Sequence, residues 1–388
     1  MILLEKKSRS SDNSDYDITI SDGTNSFMPP SPPNSLVFYS SPLQKSVYKS
    51  FKSKWIILLI VFIPLGYMAH GLKWNDSWIF ILNFLAMIPL AILFEFAIKD
   101  TSLRVGWTIG GLLNAISSNI VEIITSIVAL KNGQIRVVQA SILGSIILSS
   151  LLILGICFVT EGFHYKLQKF NRKAAQTNST FNVITRGDSE EELLKLSHST
   201  AIILLIIYIL YLLFQLKTHP HLYQKDQLEE KEPQLSFIVS TLLLIVVTVA
   251  VTFSVYLIDS IEGIVKSTGL SETFIGLILL PIVNKSAELL NTVIAAIEKK
   301  TDLDFAISVA SGSAMNIAFF ASPLIVILGW IIGKDMTLFF ELFEIIILFV
   351  SVMMTNYLVQ DGETHWLKGV MLLATYVMMA LAFFFHPI

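Results

Sequence analysis

Charged residues are scarce in this sequence. Lys, Arg, Asp and Glu make up 15% of the 388 residues, whereas hydrophobic residues make up 54%. The hydrophobic residues occur in runs of about 20, the length that a bilayer-spanning helix requires. The scarcity of charge therefore excludes a soluble globular domain. It indicates an all-α polytopic membrane protein that has membrane lipid as a partner.

Cysteines and catalytic motifs are also nearly absent. The single cysteine, Cys157, lies in a hydrophobic run, so an intrachain disulfide cannot form. There is no H-E-x-x-H zinc motif and no recognisable nucleophile motif. The net charge of −3 indicates no particular partner, and we expect no nucleic-acid partner. We expect neither an enzyme nor a resident cofactor.

Ten hydrophobic segments are long enough to cross a bilayer. We expect spans at 55–71, 77–98, 106–130, 137–160, 199–217, 235–258, 273–297, 305–332, 338–358 and 367–386. Residues 1–54 are rich in Ser, Pro, Asp and Asn, which is typical of a disordered tail. Lys45, Lys49, Lys52 and Lys54 precede the first span and predict that this tail is cytosolic.

The polar stretches divide the chain into five parts. We expect the tail at 1–54, a leading transmembrane helix at 55–72, a first repeat at 77–217, an acidic linker at 218–234 and a second repeat at 235–388. The segment 163–198 inside the first repeat is too polar to cross a membrane, so we interpret it as a solvated loop.

A carboxylate lies inside the third hydrophobic segment. Residues 106–124 read G-W-T-I-G-G-L-L-N-A-I-S-S-N-I-V-E-I-I, in which Glu122 is the acidic residue. A charge near the membrane midplane costs at least a few kcal/mol, so it indicates a functional site. Asn119, three residues earlier, would share a helix face with Glu122. The alternative is that Glu122 pairs with a neighbouring helix for packing only.

A second carboxylate motif occurs in the other half of the chain. Residues 274–291 read F-I-G-L-I-L-L-P-I-V-N-K-S-A-E-L-L-N, with Glu288 as the carboxylate and Lys285 at the spacing of Asn119. A Gly-Ser pair follows each motif, at 144–145 and at 312–313. Two such halves are typical of transporters whose site lies at the midplane between interrupted helices.

These motifs resemble those of the vacuolar Ca²⁺/H⁺ exchangers of the cation/proton exchanger branch of the Ca²⁺/cation antiporter superfamily, in the fungal form. The matching segments are F-I-L-N-F-L-A-M-I-P-L-A at 80–91, G-G-L-L-N-A at 110–115, I-R-V-V-Q-A-S-I-L-G-S at 135–145, F-Q-L-K-T-H at 214–219, D-S-I-E-G at 259–263, G-L-S-E-T-F-I-G-L-I-L-L-P-I-V at 269–283 and the run 312–330. The resemblance covers nearly everything after residue 50.

The resemblance implies a function and a site. It implies two inverted five-helix halves behind a leading helix, in a multi-pass protein of the vacuolar membrane. It also implies that Glu122 and Glu288, with Asn119, bind Ca²⁺ or another cation and exchange it for protons. Two facing carboxylates supply the hard oxygen ligands that Ca²⁺ prefers. A second copy of this chain, as in a homo-oligomer, is a further candidate partner.

Several positions depart from the pattern of the resembling family. Lys285 replaces an asparagine and Leu289 replaces a histidine. The family also has a glycine before each asparagine of the two motifs, and here Ser118 and Asn284 stand in those places. The candidate site-lining residues are Ser118, Gln139, Ser145, Ser149, Asn284, Lys285, Ser313 and Asn316.

Lys285 is the departure with the largest expected effect. Two unit charges about 4 Å apart interact by about 4 kcal/mol at an effective dielectric of about 20, and a divalent ion is repelled twice as strongly as a monovalent one. Three alternatives follow: a Na⁺ or K⁺/H⁺ exchanger, a titrating Lys285, or a degenerate paralogue that does not transport. A fourth is a lysine that extends to the membrane interface.

The number of spans is also unusual. The family implies eleven, whereas ten are expected here, because the segment near 163–198 is polar where a fifth span would fall. A count of crossings then makes the helices of Glu122 and Glu288 parallel, and parallel helices could not form the inverted-repeat site. We therefore expect that one span has been lost from this chain.

Overall fold

The computed structural model describes most of the chain beyond the N-terminal tail. The described residues are 59–105, 110, 112–113, 118–164, 168–169, 190–218, 236–253, 255–297, 303–360 and 363–385. The expected tail at 1–54 and nearly all of the expected linker at 218–234 lie outside them.

The first half of the described chain is helical. Its helices are α1 Phe62–Gly71, α2 Asp76–Ser102, α3 Ile120–Lys131, α4 Ile135–Ile147, α5 Leu154–His164 and α6 Glu190–Leu213. A π-helical segment at Leu148–Ile153 joins α4 to α5, and another at Phe214–Thr218 extends α6. Helix α2 begins where the Asn75 side chain accepts a hydrogen bond from the Ser77 amide, at 3.1 Å.

The second half is also helical. Its helices are α7 Phe237–Phe253, α8 Tyr256–Asp259, α9 Ile261–Thr268, α10 Glu272–Phe274, α11 Leu280–Asn284, α12 Ser286–Ile297, α13 Leu303–Asn316, α14 Ser322–Ile332, α15 Leu342–Gln360 and α16 Trp366–Phe385. π-Helical segments at Ile275–Leu279 and Ile317–Ala321 lie inside the second and third of its long hydrophobic stretches. Two-residue strands, β1 Gln168–Lys169 and β2 Glu363–Thr364, pair antiparallel. The all-α prediction is confirmed.

Seven continuous helical stretches of the described chain are long and hydrophobic enough to cross a membrane, and several of them join two or more of these helices. A bent pair, Glu272–Asn284 with Ser286–Val293, makes an eighth. The other two expected spans, 55–71 and 106–130, fall partly outside the described residues, so the count of ten stays a prediction. The expected loop at 163–198 is wrong in its last residues. Helix α6 begins at Glu190, because a polar turn with a Lys195–Glu191 ion pair of 2.7 Å continues the helix before its hydrophobic part.

Glycines bring α4 into backbone contact with the segment 275–281. A Cβ on Gly144 would overlap the Leu277 carbonyl, and one on Gly276 would lie 2.8 Å from the Val137 oxygen. Small residues allow such close packing of membrane helices. The contacts advance in the same sense along both segments, from Val137 towards Gly144 and from Gly276 towards Pro281. Helix α4 and the segment 275–281 therefore run in the same direction.

The direction of α3 follows from its junction with α4. Helix α3 ends at Lys131, Gly133 adopts a φ of 79°, and α4 starts at Ile135. Such a short turn makes α3 and α4 antiparallel neighbours. Because α12 continues the 275–284 segment after a bend of 56°, α3 and α12 run in opposite senses.

The expectation that the helices of Glu122 and Glu288 run parallel is therefore wrong. It came from a count of crossings along the sequence, whereas the glycine contacts of α4 and its short turn from α3 give the directions of the helices in the structure. The two halves also mirror each other, since α16 packs on α5 as α6 packs on α14. The connection from α5 to α6 lies largely outside the described residues, so the loss of a span stays a prediction.

Candidate cation site

Each carboxylate motif lies just after a break in its helix. Asn119, before α3, has φ −120° and ψ 4°, and Lys285, between α11 and α12, has φ −102° and ψ 11°. The two residues occupy the same position in their repeats and share nearly the same backbone conformation. Interrupted helices are therefore present. The spacing alone predicted that Asn119 would share a helix face with Glu122, whereas in the structure Asn119 precedes α3.

The Lys285 side chain joins the two repeats. It is 1% exposed, and its Nζ donates to Asn119 Oδ1 at 2.5 Å, to Ser313 Oγ at 3.0 Å and to the Ser118 carbonyl at 3.3 Å. Its Nζ is also 3.7 Å from Glu288 Oε2. The alternative in which Lys285 extends to the membrane interface is therefore wrong. The ammonium stays buried because the Glu288 carboxylate lies near it on α12 and oxygens of Ser118 and Asn119 accept its hydrogen bonds.

Ser313 connects the ammonium to the carboxylate. Its hydroxyl donates to Glu288 Oε2 at 2.7 Å and accepts from Lys285. Ser149, at the π-helical segment after α4, donates to the same hydroxyl at 3.3 Å. The π-helical turn re-aims side chains within an otherwise regular helix. Ser313 thus fixes the position of Glu288 relative to both repeats.

Glu122 is buried beside this cluster, and its side chain is 1% exposed. It interacts electrostatically with Lys285 and Glu288, and the Ser145 hydroxyl lies close to it. Within the described part of the chain, neither Glu122 oxygen has a hydrogen bond of good geometry, nor does the Ser145 hydroxyl or the Asn284 amide. Buried polar groups normally have partners. These unpartnered atoms of both repeats can therefore bind a cation, a proton or water.

Two of the candidate lining residues make hydrogen bonds to distant segments. The Gln139 amide donates to the Thr337 and Phe339 carbonyls, both at 3.1 Å, so it fastens the segment before α15. Gln139 is six residues from Ser145, which is about 9 Å along a helix. Asn316 accepts a hydrogen bond from the Tyr208 hydroxyl of α6 at 3.3 Å. The spacing predicted neither contact, because both partners come from distant segments.

Sequence reasoning missed a polar group that adjoins Glu288. Asn291, one turn further along α12, donates to Glu95 Oε1 of α2 at 2.9 Å, and Lys99 pairs with the same oxygen. Charges in the second hydrophobic segment were the signal that could have found this group. Glu95 and Lys99 both act electrostatically on Glu288.

Comparison with known proteins finds relatives over most of the chain. The family model described as "Sodium/calcium exchanger protein" matches residues 76–217 and 238–385. The vacuolar calcium ion transporter of Schizosaccharomyces pombe is 43% identical over 355 residues, which cover 86% of each chain. The Ca²⁺/H⁺ antiporter of Aphanothece halophytica is 40% identical over 85% of this chain and 96% of its own. The crystal structure of the Ca²⁺/H⁺ antiporter protein YfkE aligns with a TM-score of 0.74 at 30% identity, over 86% of this chain and 99% of that one.

Proposed function

Because the chain belongs to the sodium/calcium exchanger protein family, we propose that it exchanges Ca²⁺ for protons across the vacuolar membrane, with its N-terminus in the cytosol. The observation that carries this proposal is the meeting of both carboxylate motifs at one buried cluster, where Lys285 contacts Asn119 and Glu288. The names of relatives from fungi, cyanobacteria and plants support the choice of ion and membrane.

The chemistry of the cluster suits antiport. Glu122 and Glu288 supply carboxylate oxygens, and Asn119 and Ser313 supply neutral oxygens, which are ligand types that Ca²⁺ accepts. An unpaired buried carboxylate is stable only when it holds a cation or is neutralised by a proton. Cation and protons then compete for the same two carboxylates. This competition couples the outward flux of one to the inward flux of the other.

Proton-driven ⁴⁵Ca²⁺ uptake into vesicles that contain the purified protein tests the proposal. Glu122→Gln and Glu288→Gln should each abolish uptake, because each removes a charge that must alternate between cation and proton. Glu262→Gln is the matched control, since the Glu262 side chain is 66% exposed on α9 and should leave uptake unchanged. Uptake by either buried-site variant at the wild-type rate and with the wild-type pH dependence would refute this mechanism.

A second candidate function is exchange of Na⁺ or K⁺ for protons. The observation in its favour is the Lys285 ammonium, which reduces the charge of the two carboxylates from about −2 to about −1. The same vesicles, loaded with ²²Na⁺ or ⁸⁶Rb⁺ in parallel, distinguish the two functions. Proton-driven uptake of the monovalent ion without ⁴⁵Ca²⁺ uptake would show that the monovalent ion, and not Ca²⁺, is the substrate. No uptake of either ion would indicate a degenerate paralogue.

A further inference from the structure

The Lys285 ammonium has the surroundings of a bound cation. Four oxygens lie between 2.5 and 3.7 Å from its Nζ: an amide oxygen, a hydroxyl, a backbone carbonyl and a carboxylate. Alkali and alkaline-earth ions are bound by these same ligand types in proteins. All four come from the two interrupted-helix regions or from α13, so both repeats contribute.

The hydrogen-bonding capacity of this ammonium is fully used. A lysine ammonium has three N–H donors and no acceptor. Three oxygens accept from Nζ, and Glu288 supplies the opposite charge. Glu122, by contrast, receives no hydrogen bond of good geometry from the described residues although it is 1% exposed. Among the described residues, the oxygens around the ammonium are thus occupied by a residue of the chain, whereas the oxygens of Glu122 are not.

We propose that Lys285 is a tethered cation that occupies half of the transport site and competes with the transported ion for Asn119, Ser313 and Glu288. This inference rests on the proposed function, since it concerns the same site. An incoming ion must displace the ammonium or bind while the ammonium stays nearby. In both cases the positive charge opposes the ion, and Lys285 becomes the residue that sets the preference between divalent and monovalent cations.

The size of the effect depends on ionic charge in a defined way. The repulsion between an ammonium and an ion is proportional to the ionic charge at a given distance. The factor by which removal of the ammonium strengthens Ca²⁺ binding is then about the square of the factor for Na⁺. If Na⁺ affinity rises about tenfold, Ca²⁺ affinity rises about a hundredfold, and the Ca²⁺/Na⁺ preference shifts about tenfold.

Equilibrium binding of ⁴⁵Ca²⁺ and ²²Na⁺ to the purified full chain in detergent tests the inference at one fixed pH. Lys285→Asn and Lys285→Met both remove the charge, and Met also keeps a long unbranched side chain should Asn disturb folding. Lys285→Arg keeps the charge and is the matched control. We expect Asn and Met to raise Ca²⁺ affinity about a hundredfold and Na⁺ affinity about tenfold, and Arg to raise neither. Size-exclusion profiles establish that each variant is folded.

Several outcomes would overturn the inference. An equal gain in affinity for Ca²⁺ and Na⁺ would show that the effect is steric. A gain in affinity in the Arg variant as large as in the Asn variant would show that the charge of Lys285 is not its cause. Unchanged binding, or no binding of either ion after removal of the charge, would place Lys285 outside the cation's position. A rise in Na⁺ affinity without any Ca²⁺ binding would support the tethered cation and refute the Ca²⁺ proposal. The failures of the two proposals are therefore distinguishable.

Discussion

The ion pair between Arg136 and Glu344 allows a quantitative test of how the two halves are fastened together. Arg136, at the start of α4, makes bidentate contacts of 2.8 and 3.1 Å to Glu344, in the first turn of α15. The Glu344 side chain is 0% exposed, whereas Arg136 is 27% exposed and has a second carboxylate partner, Glu341, at 3.1 Å. The two partners therefore differ in what each loses when the other is removed.

Arg136→Met should destabilise the fold by about 3 kcal/mol, because breaking a buried pair leaves an uncompensated charge. Glu344→Gln should cost less, about 1–2 kcal/mol, because Arg136 keeps Glu341 and access to water. The double variant Arg136→Met/Glu344→Leu should recover most of the loss, since a hydrophobic replacement removes both charges. At the exposed Lys195–Glu191 pair, with side chains 73% and 78% exposed, Lys195→Met should cost less than about 1 kcal/mol.

Unfolding of the purified proteins in mixed detergent micelles, followed by tryptophan fluorescence, measures these differences. The expected order of loss is Arg136→Met, then Glu344→Gln, then Lys195→Met. If Glu344→Gln cost as much as Arg136→Met, the difference in burial would not govern the energetics. If the double variant were no more stable than Arg136→Met alone, an uncompensated Glu344 charge would not be the cause of the loss, and the reasoning from the buried pair would be refuted.

Two further predictions concern the contacts around the site. Gly144→Ala should destabilise the protein by about 1–3 kcal/mol or more in the same unfolding assay, because its Cβ would overlap the Leu277 carbonyl, and a stable variant would contradict the close approach of α4. Ser313→Ala should weaken cation binding by about tenfold, because it removes a neutral oxygen ligand and the hydrogen bond that positions Glu288. Ser149→Ala, which removes only the 3.3 Å bond to Ser313, is the control, and an equal loss there would show that the hydroxyl network rather than the direct contacts matters.

The sequence by itself determined the class of protein and the chemistry at its centre. Hydrophobic runs of membrane-spanning length leave no alternative to helices, because backbone groups in lipid must bond within their own segment. A carboxylate inside such a run is too costly to be incidental, so Glu122 and Glu288 could be identified from composition and spacing alone. The three-residue spacing likewise predicted that Lys285 would lie near Glu288, at 3.7 Å in the structure.

Only the tertiary structure decided which side chains meet and in which direction their helices run. Counting crossings made the Glu122 and Glu288 helices parallel, whereas the glycine contacts of α4 and its short turn from α3 make them antiparallel. Gln139 stays a candidate site residue, and only the structure shows that its amide bonds to a segment about 200 residues away. Such contacts depend on long-range packing of surfaces, which local spacing does not encode. For the same reason the sequence could place an ammonium next to one carboxylate, but not show that oxygens of both repeats surround it.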